Sequence, residues 1–202
     1  MRGEMALNPT LLFEQAIQEH LKTIQALESI IPQLQRIAEK MSRSLLDGHK
    51  ILWCGNGGSA ADSQHMAAEL VGRFLKERRA LPSIALTTNT SILTAIGNDY
   101  GYDRVFERQI EAICFAGDVV VGISTSGNSK NVCNALNAAR KIGAFTVAFG
   151  GQNGGAMAEI ANETIRIPST ATPRIQEGHT LCAHMICDYI EQCICQAQPD
   201  SH

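Results

Sequence analysis

The densest chemistry in this sequence lies in two short stretches of glycine, hydroxyl and amide residues. One is Cys54-Gly55-Asn56-Gly57-Gly58-Ser59, and the other is Ile123-Ser124-Thr125-Ser126-Gly127-Asn128-Ser129. Each follows an apolar run and precedes a helical pattern, so each is predicted to be a strand-to-helix loop. Glycine lets such a backbone turn sharply and approach a ligand closely. The helix behind it presents free N–H groups and the positive end of its dipole. Hydroxyls beside those amides can donate to phosphate oxygens without a metal or a Walker lysine. One such loop is equally well a capped turn, but two of them, both after buried strands, point to a phosphate-bearing ligand. Neither loop fits the G-x-x-x-x-G-K-S/T pattern or the dinucleotide fingerprint, which argues against ATP and NAD.

Titratable side chains gather in two further places. The helix predicted after the first loop carries His65 and Glu69, four residues apart and on one face. That spacing suits acid–base work or two ligands to one metal, and it is also common in plain exposed helix pairs. A C-terminal segment adds Gln176, Glu177, His179 and His184; spacing alone does not choose between its two histidines.

The elements that must position these groups alternate along the chain. Strands are predicted at Lys50–Cys54, Ser83–Leu86, Asp118–Ile123, Ala144–Phe149 and Thr164–Ile167. Helices are expected at Ala60–Leu75, Ser91–Ile96, Asn131–Lys141, Gly155–Ile160 and Arg174–Gln196 between and after them. Asp-Val-Val-Val-Gly-Ile at 118–123 is apolar on both faces, as a central parallel strand should be. Such alternation predicts an α/β fold, a parallel sheet with helices on both faces, whose ligands sit at the carboxyl ends of the strands where the order reverses. Ahead of this core, residues 1–48 form a helical segment. Apolar residues recur at helical spacing over Leu11–Ile31, and Pro32 opens a second helix to Leu46. Residues 49–202 are read as the α/β core with its C-terminal helix, so 1–202 is one domain. The two leading helices need a surface to cover, which a partner subunit would provide.

Composition narrows the class. The chain of 202 residues is 45% hydrophobic and 18% charged, with a net charge of −3, so no global field attracts nucleic acid. The basic run Arg73, Lys76, Arg78 and Arg79 reads as a solvated helix end. Met1–Thr10 lacks a signal-like apolar core and no stretch reaches the roughly 20 apolar residues of a membrane span. A soluble cytoplasmic protein is expected. Seven cysteines without Cys-x-x-Cys spacing fit free, buried thiols there.

Gly-Asn-Gly-Gly-Ser and Gly-Ile-Ser-Thr-Ser-Gly-Asn-Ser resemble the two signature loops of the SIS (sugar isomerase) domain family. The likeness runs on through Asn98-Asp99-Tyr100-Gly101 to Arg174-Ile175-Gln176-Glu177-Gly178-His179. Within that family the chain most resembles the sedoheptulose 7-phosphate isomerases. The resemblance implies a three-layer flavodoxin-like fold with a five-stranded parallel sheet, and a homotetramer with active sites between subunits. It implies that Ser59, Ser124, Thr125, Ser126 and Ser129 hold the phosphate, with Gly57 and Gly58 in the first loop. Asn56, Asn98 and Asp99 would contact the sugar, with Glu69 and Gln176 also at the substrate. It selects His65, Glu69, Gln176 and His184 as a site that binds zinc in some members, one ion per subunit.

Aldose–ketose exchange through an enediol needs a base, an acid for the oxygen and a positive group for the oxyanion. Glu69 is expected as the base and His184 as its acid/base partner. Were Gln176 and His184 in one straight helix, about 12 Å of axis would separate them and one metal could not take both. Gln176 is therefore expected ahead of the regular helix; the other solution places the two in sites of different subunits. Pro173 stands where some relatives carry Asp, so no auxiliary carboxylate is available there.

The resemblance also brings a rival reading, a non-enzymatic DnaA initiator-associating relative with the same fold. That relative lacks the groups matching Glu69 and His184, so their presence favours catalysis. Regulators that join this domain to a DNA-binding domain would need more chain. The enzyme reading makes sedoheptulose 7-phosphate into D-glycero-D-manno-heptose 7-phosphate, the first step of ADP- or GDP-heptose synthesis for lipopolysaccharide core or surface glycans.

Overall fold

A computed structural model describes residues 8–197. The expectation drawn from Met1–Thr10 falls mostly on residues 1–7, outside the described residues. Helix α1 spans Pro9–Ala26, capped by the Asn8 side chain on the N–H groups of Thr10 and Leu11. It does not run to Ile31 as the periodicity predicts. A 3₁₀ turn at Leu27–Ile30 intervenes, and α2 runs from Ile31 to Leu46 with Pro32 in its first turn, where no N–H is needed.

Five strands then form one parallel sheet: β1 Ile51–Gly55, β2 Ser83–Ala85, β3 Val119–Ile123, β4 Phe145–Gly150 and β5 Glu163–Arg166. Their order is β2-β1-β3-β4-β5, the flavodoxin-like arrangement in which the chain reverses beside β1 and β3. Register is continuous across the centre, with Ile51 opposite Val119 and Gly55 opposite Ile123. Helices between the strands are α3 Gly58–Val71, α4 Thr90–Tyr100, α5 Glu107–Ile113, α6 Lys130–Ile142 and α7 Met157–Ile160. The chain closes with α8, Thr172–Ala197.

Alternation along each strand divides the core in two. Ile51, Trp53, Val119, Val121, Val147 and Phe149 face α2, α3 and α8. Leu52, Cys54, Val120 and Ala148 face α5 and α6. Trp53 is fully buried and its indole N–H donates to the Ser83 hydroxyl at 2.9 Å. Asp118 ends the opposite, amino edge of the sheet, taking the Lys50 ammonium at 2.6 Å and the N–H of Phe115 at 2.8 Å.

Helix α5 was not expected from the sequence. Phe106, Ile110 and Ile113 stand at helical spacing and pack on the second core, a signal of only two turns. The basic run also differs from expectation: α3 ends at Val71 and Gly72, so the run lies in a loop, and the Arg78 side chain is 3% exposed. A buried carboxylate, Glu191 on α8, draws it inward at 3.2 Å. Of the cysteines, Cys54, Cys114, Cys182 and Cys187 are buried while Cys133, Cys193 and Cys195 are half-buried; all are free.

Candidate active site

Both signature loops sit at the sheet's switch point, the first between β1 and α3, the second between β3 and α6. The first loop needs its glycines for specific reasons. Gly57 has φ +55° just before α3, a conformation L side chains rarely adopt. A Cβ at Gly55 would strike Ser59, and one at Gly58 would run into the Gln176 side-chain amide. Asn56 is locked rather than free: it exchanges hydrogen bonds with the buried Asn131 at 2.8 and 3.0 Å and accepts another from the Tyr102 hydroxyl at 3.2 Å. Neither Asn131 nor Tyr102 was singled out from the sequence. Asn131 was legible only as a polar residue two places after the second loop.

In the second loop, the Ser124 hydroxyl lies 2.9 Å from that of Ser129 and 3.3 Å from that of Ser126. Three hydroxyls thus converge at the N-terminus of α6, where orphan N–H groups favour an anion. Gly127, at φ +68°, packs its backbone directly against Gly154 and Gly155, leaving no room for a side chain. Thr125 accepts from the N–H of Gly151 through its carbonyl, which ties the loop to the end of β4. Asn98 and Asp99 stand on the last turn of α4, both exposed, with the Asn98 amide donating to Asp99 at 2.8 Å. They are bonded to each other and to neither loop.

The structure separates the two C-terminal histidines. His179 is 1% exposed and donates to the Gly150 carbonyl at 3.1 Å. Burial pushes its pKa down to about 4, so it stays a neutral core residue. His184 instead reaches α3. One ligand atom from each of His65, Glu69 and His184 lies within 4.8 Å of the others, and His65 Nε2 is 2.9 Å from the Glu69 carboxylate. The two imidazoles meet edge to face, with ring centroids 5.0 Å apart. Two imidazoles and a carboxylate gathered this closely are a donor set that fits zinc.

Gln176 departs from expectation. Helix α8 starts at Thr172, helped by Pro173 in its first turn, so Gln176 lies inside the regular helix. Eight residues, about 12 Å of axis, separate it from His184. It lies against Gly58 at the loop instead. Between them, the Thr180 hydroxyl donates to Asp62 at 3.1 Å. Burial raises the Asp62 pKa, opposed by that hydrogen bond and by His65 and His184. Helices α3 and α8 thus meet in three rungs, Gly58 with Gln176, Asp62 with Thr180, and His65 and Glu69 with His184. The ladder runs from the anion loop to the titratable cluster.

The chain is similar to proteins already known. Residues 13–151 match the model of the SIS domain family. The phosphoheptose isomerase of Aquifex aeolicus (strain VF5) is 57% identical over 164 residues, 81% of this chain and 86% of that one. That of Aliarcobacter butzleri (strain RM4018) is 55% identical over 179 residues, 87% of this chain and 95% of the other. Among solved structures, phosphoheptose isomerase GmhA from Neisseria gonorrhoeae superposes with a TM-score of 0.86 at 43% identity, covering 92% of this chain and all of that one.

Proposed function

The chain belongs to the SIS domain family and, within it, to the phosphoheptose isomerases, and on that premise we propose that it interconverts sedoheptulose 7-phosphate and D-glycero-D-manno-heptose 7-phosphate. The observation that carries the reading is the ladder between α3 and α8, with an anion cradle at one end and a carboxylate–imidazole cluster at the other. A seven-carbon sugar phosphate, with bonds of roughly 1.5 Å, is long enough to bridge such a separation.

In this reading Ser59, Ser124, Thr125, Ser126 and Ser129 hold the phosphate by hydroxyl and N–H donation, beside Gly57 and Gly58. Asn56, kept in place by Asn131 and Tyr102, offers its second amide N–H to the sugar hydroxyls, with Asn98, Asp99 and Gln176 as further contacts. Glu69 removes a proton from C1 of the ketose while His184 protonates O2, giving the enediol. Glu69 then returns a proton to C2 as His184 takes the one on O1, leaving the aldose. His65 holds one Glu69 oxygen and so orients the other.

His65, Glu69 and His184 would hold zinc, one ion per subunit. When bound, that ion supplies Lewis-acid polarisation of the substrate carbonyl. A carboxylate committed to a metal is a weaker base, so the two duties of Glu69 compete. Gln176, placed at the loop of its own chain, would serve as a fourth ligand only toward a neighbouring subunit's cluster. A homotetramer with sites completed between subunits fits this, as does the apolar face of α1: Leu11, Leu12, Phe13, Ile17 and Leu21 are each more than 40% exposed. The cytoplasm, where phosphorylated sugars and free thiols coexist, is the compartment in which it would work. Incubating purified protein with sedoheptulose 7-phosphate and following aldose formation tests the reading. A folded oligomer that forms no aldose would overturn it.

A further inference from the structure

The loop that carries the basic run, residues 72–80, is fastened to the cluster by a buried charge pair that catalysis itself does not use. Glu191, 1% exposed on α8, accepts the N–H of Phe74 at 2.8 Å and those of Leu75 and Lys76 at 2.7 Å each. Three successive amides thus wrap one carboxylate, a nest closed on an anion. Arg78 balances the charge at 3.2 Å. Its two terminal nitrogens donate to the carbonyls of Glu69, Leu70, Gly72 and Arg79 at 2.8–3.1 Å, the first three lying where α3 ends and leaves carbonyls unpaired. Burial pushes the Glu191 carboxyl up, but the amides of Leu75, Phe74 and Lys76 and the Arg78 guanidinium outweigh it and hold its pKa below the usual value.

This fastening has a direction. Arg78 grips the backbone carbonyl of Glu69 itself. Glu191 stands seven residues, two helical turns, beyond His184 on α8. Folding residues 74–76 onto Glu191 lays the Phe74 ring on His184 with centroids 5.4 Å apart, so His184 is held between Phe74 and His65. His184 and Glu69 are thereby tied to one carboxylate that touches none of their reactive atoms.

We propose that Glu191 is a positioning residue: with Arg78 and Phe74 it fixes His184 and Glu69 at the distance the cluster requires. Groups behind a site's ligands commonly contribute ten- to hundredfold in metal affinity or activity, and that is the scale expected here. The turnover arm rests on the proposed isomerase activity; the other arms do not.

The test compares wild type with Glu191→Gln, Phe74→Leu and Ile110→Val, the last being a mild core change on the far side of the sheet. Nuclear magnetic resonance of the His184 ring in metal-free protein, zinc affinity by chelator competition, and kcat against KM are measured for each. Glu191→Gln and Phe74→Leu should both move the His184 ring signals toward those of free histidine. Glu191→Gln should weaken zinc at least tenfold and lower kcat by a similar factor, leaving KM, set by the distant hydroxyl loop, within about twofold. Ile110→Val should change none of these. A folded Glu191→Gln protein with unmoved His184 signals overturns the proposal, as does an Ile110→Val protein that shifts equally. If Glu191→Gln does not fold, Phe74→Leu decides, and unchanged zinc affinity there overturns it. Zinc and ring effects without turnover in wild type would instead count against the isomerase reading alone.

Discussion

His65 binds one oxygen of Glu69 at 2.9 Å, which leaves the other oxygen to accept the proton in the proposed reaction. Replacing Glu69 by Gln keeps the shape but removes the proposed base. Turnover should fall by roughly 10²–10⁴-fold with the oligomer intact; a coupled assay for the aldose on the purified variant reads this directly. His179 behaves differently because it is buried. Its pKa falls from the ordinary 6.5 to about 4 in the folded chain. Between those values the unfolded chain binds a proton that the folded one refuses, so stability drops as pH falls through the window. The loss is at most about 3 kcal/mol. Thermal midpoints at about pH 7.5 and about pH 5 should therefore differ less in His179→Gln than in wild type. At this scale the sequence named the cluster by resemblance, and only the fold explains the choice. His184 and His179 are indistinguishable by spacing, but five residues turn a helix far enough to aim one at the sheet and the other at α3.

Among the elements, the strands and the two loops were legible because buried parallel strands and glycine-rich turns write strong local patterns. Ends of helices were less so. The loop after α3 folds onto Glu191, more than a hundred residues away in sequence, and no local pattern carries that. Likewise α8 opens at Thr172 through Pro173, where the metal argument had placed irregular chain ahead of Gln176. The second loop offers a sharp test of element geometry. Gly127→Ala puts a methyl at positive φ into the Gly154 carbonyl, so the loop must open. We expect at least about 2 kcal/mol of lost stability, by chemical denaturation, and a raised KM because Ser124, Ser126 and Ser129 no longer converge. An unchanged KM would remove the loop from phosphate binding.

For the molecule as a whole, α1 leaves a row of large apolar residues uncovered by its own chain. Its apolar residues face outward, and a groove of about 240 Å³ between α2 and α8, lined by Ile31, Leu34, Met185 and Tyr189, is also uncovered. Contiguous exposed apolar surface is the kind a partner subunit would cover, in keeping with the proposed oligomer. Phe13→Asp should shift the assembly toward smaller species in light scattering, and if sites are shared it should lower activity in parallel. Dialysis against a strong chelator provides the complementary check on zinc: activity should disappear and return with added zinc, whereas an unchanged rate would dismiss an essential ion.

Trp53 has a practical consequence. It is the chain's one tryptophan, sealed in the sheet immediately ahead of the first glycine loop, whereas the apolar face of α1 is exposed. Each chain therefore carries a single indole emitter, selectively excited beyond the tyrosine band, whose colour reports the integrity of the strand beneath the site. Its emission should stay blue when subunits merely separate and redden only when the sheet opens, so dissociation and unfolding can be told apart in one cuvette.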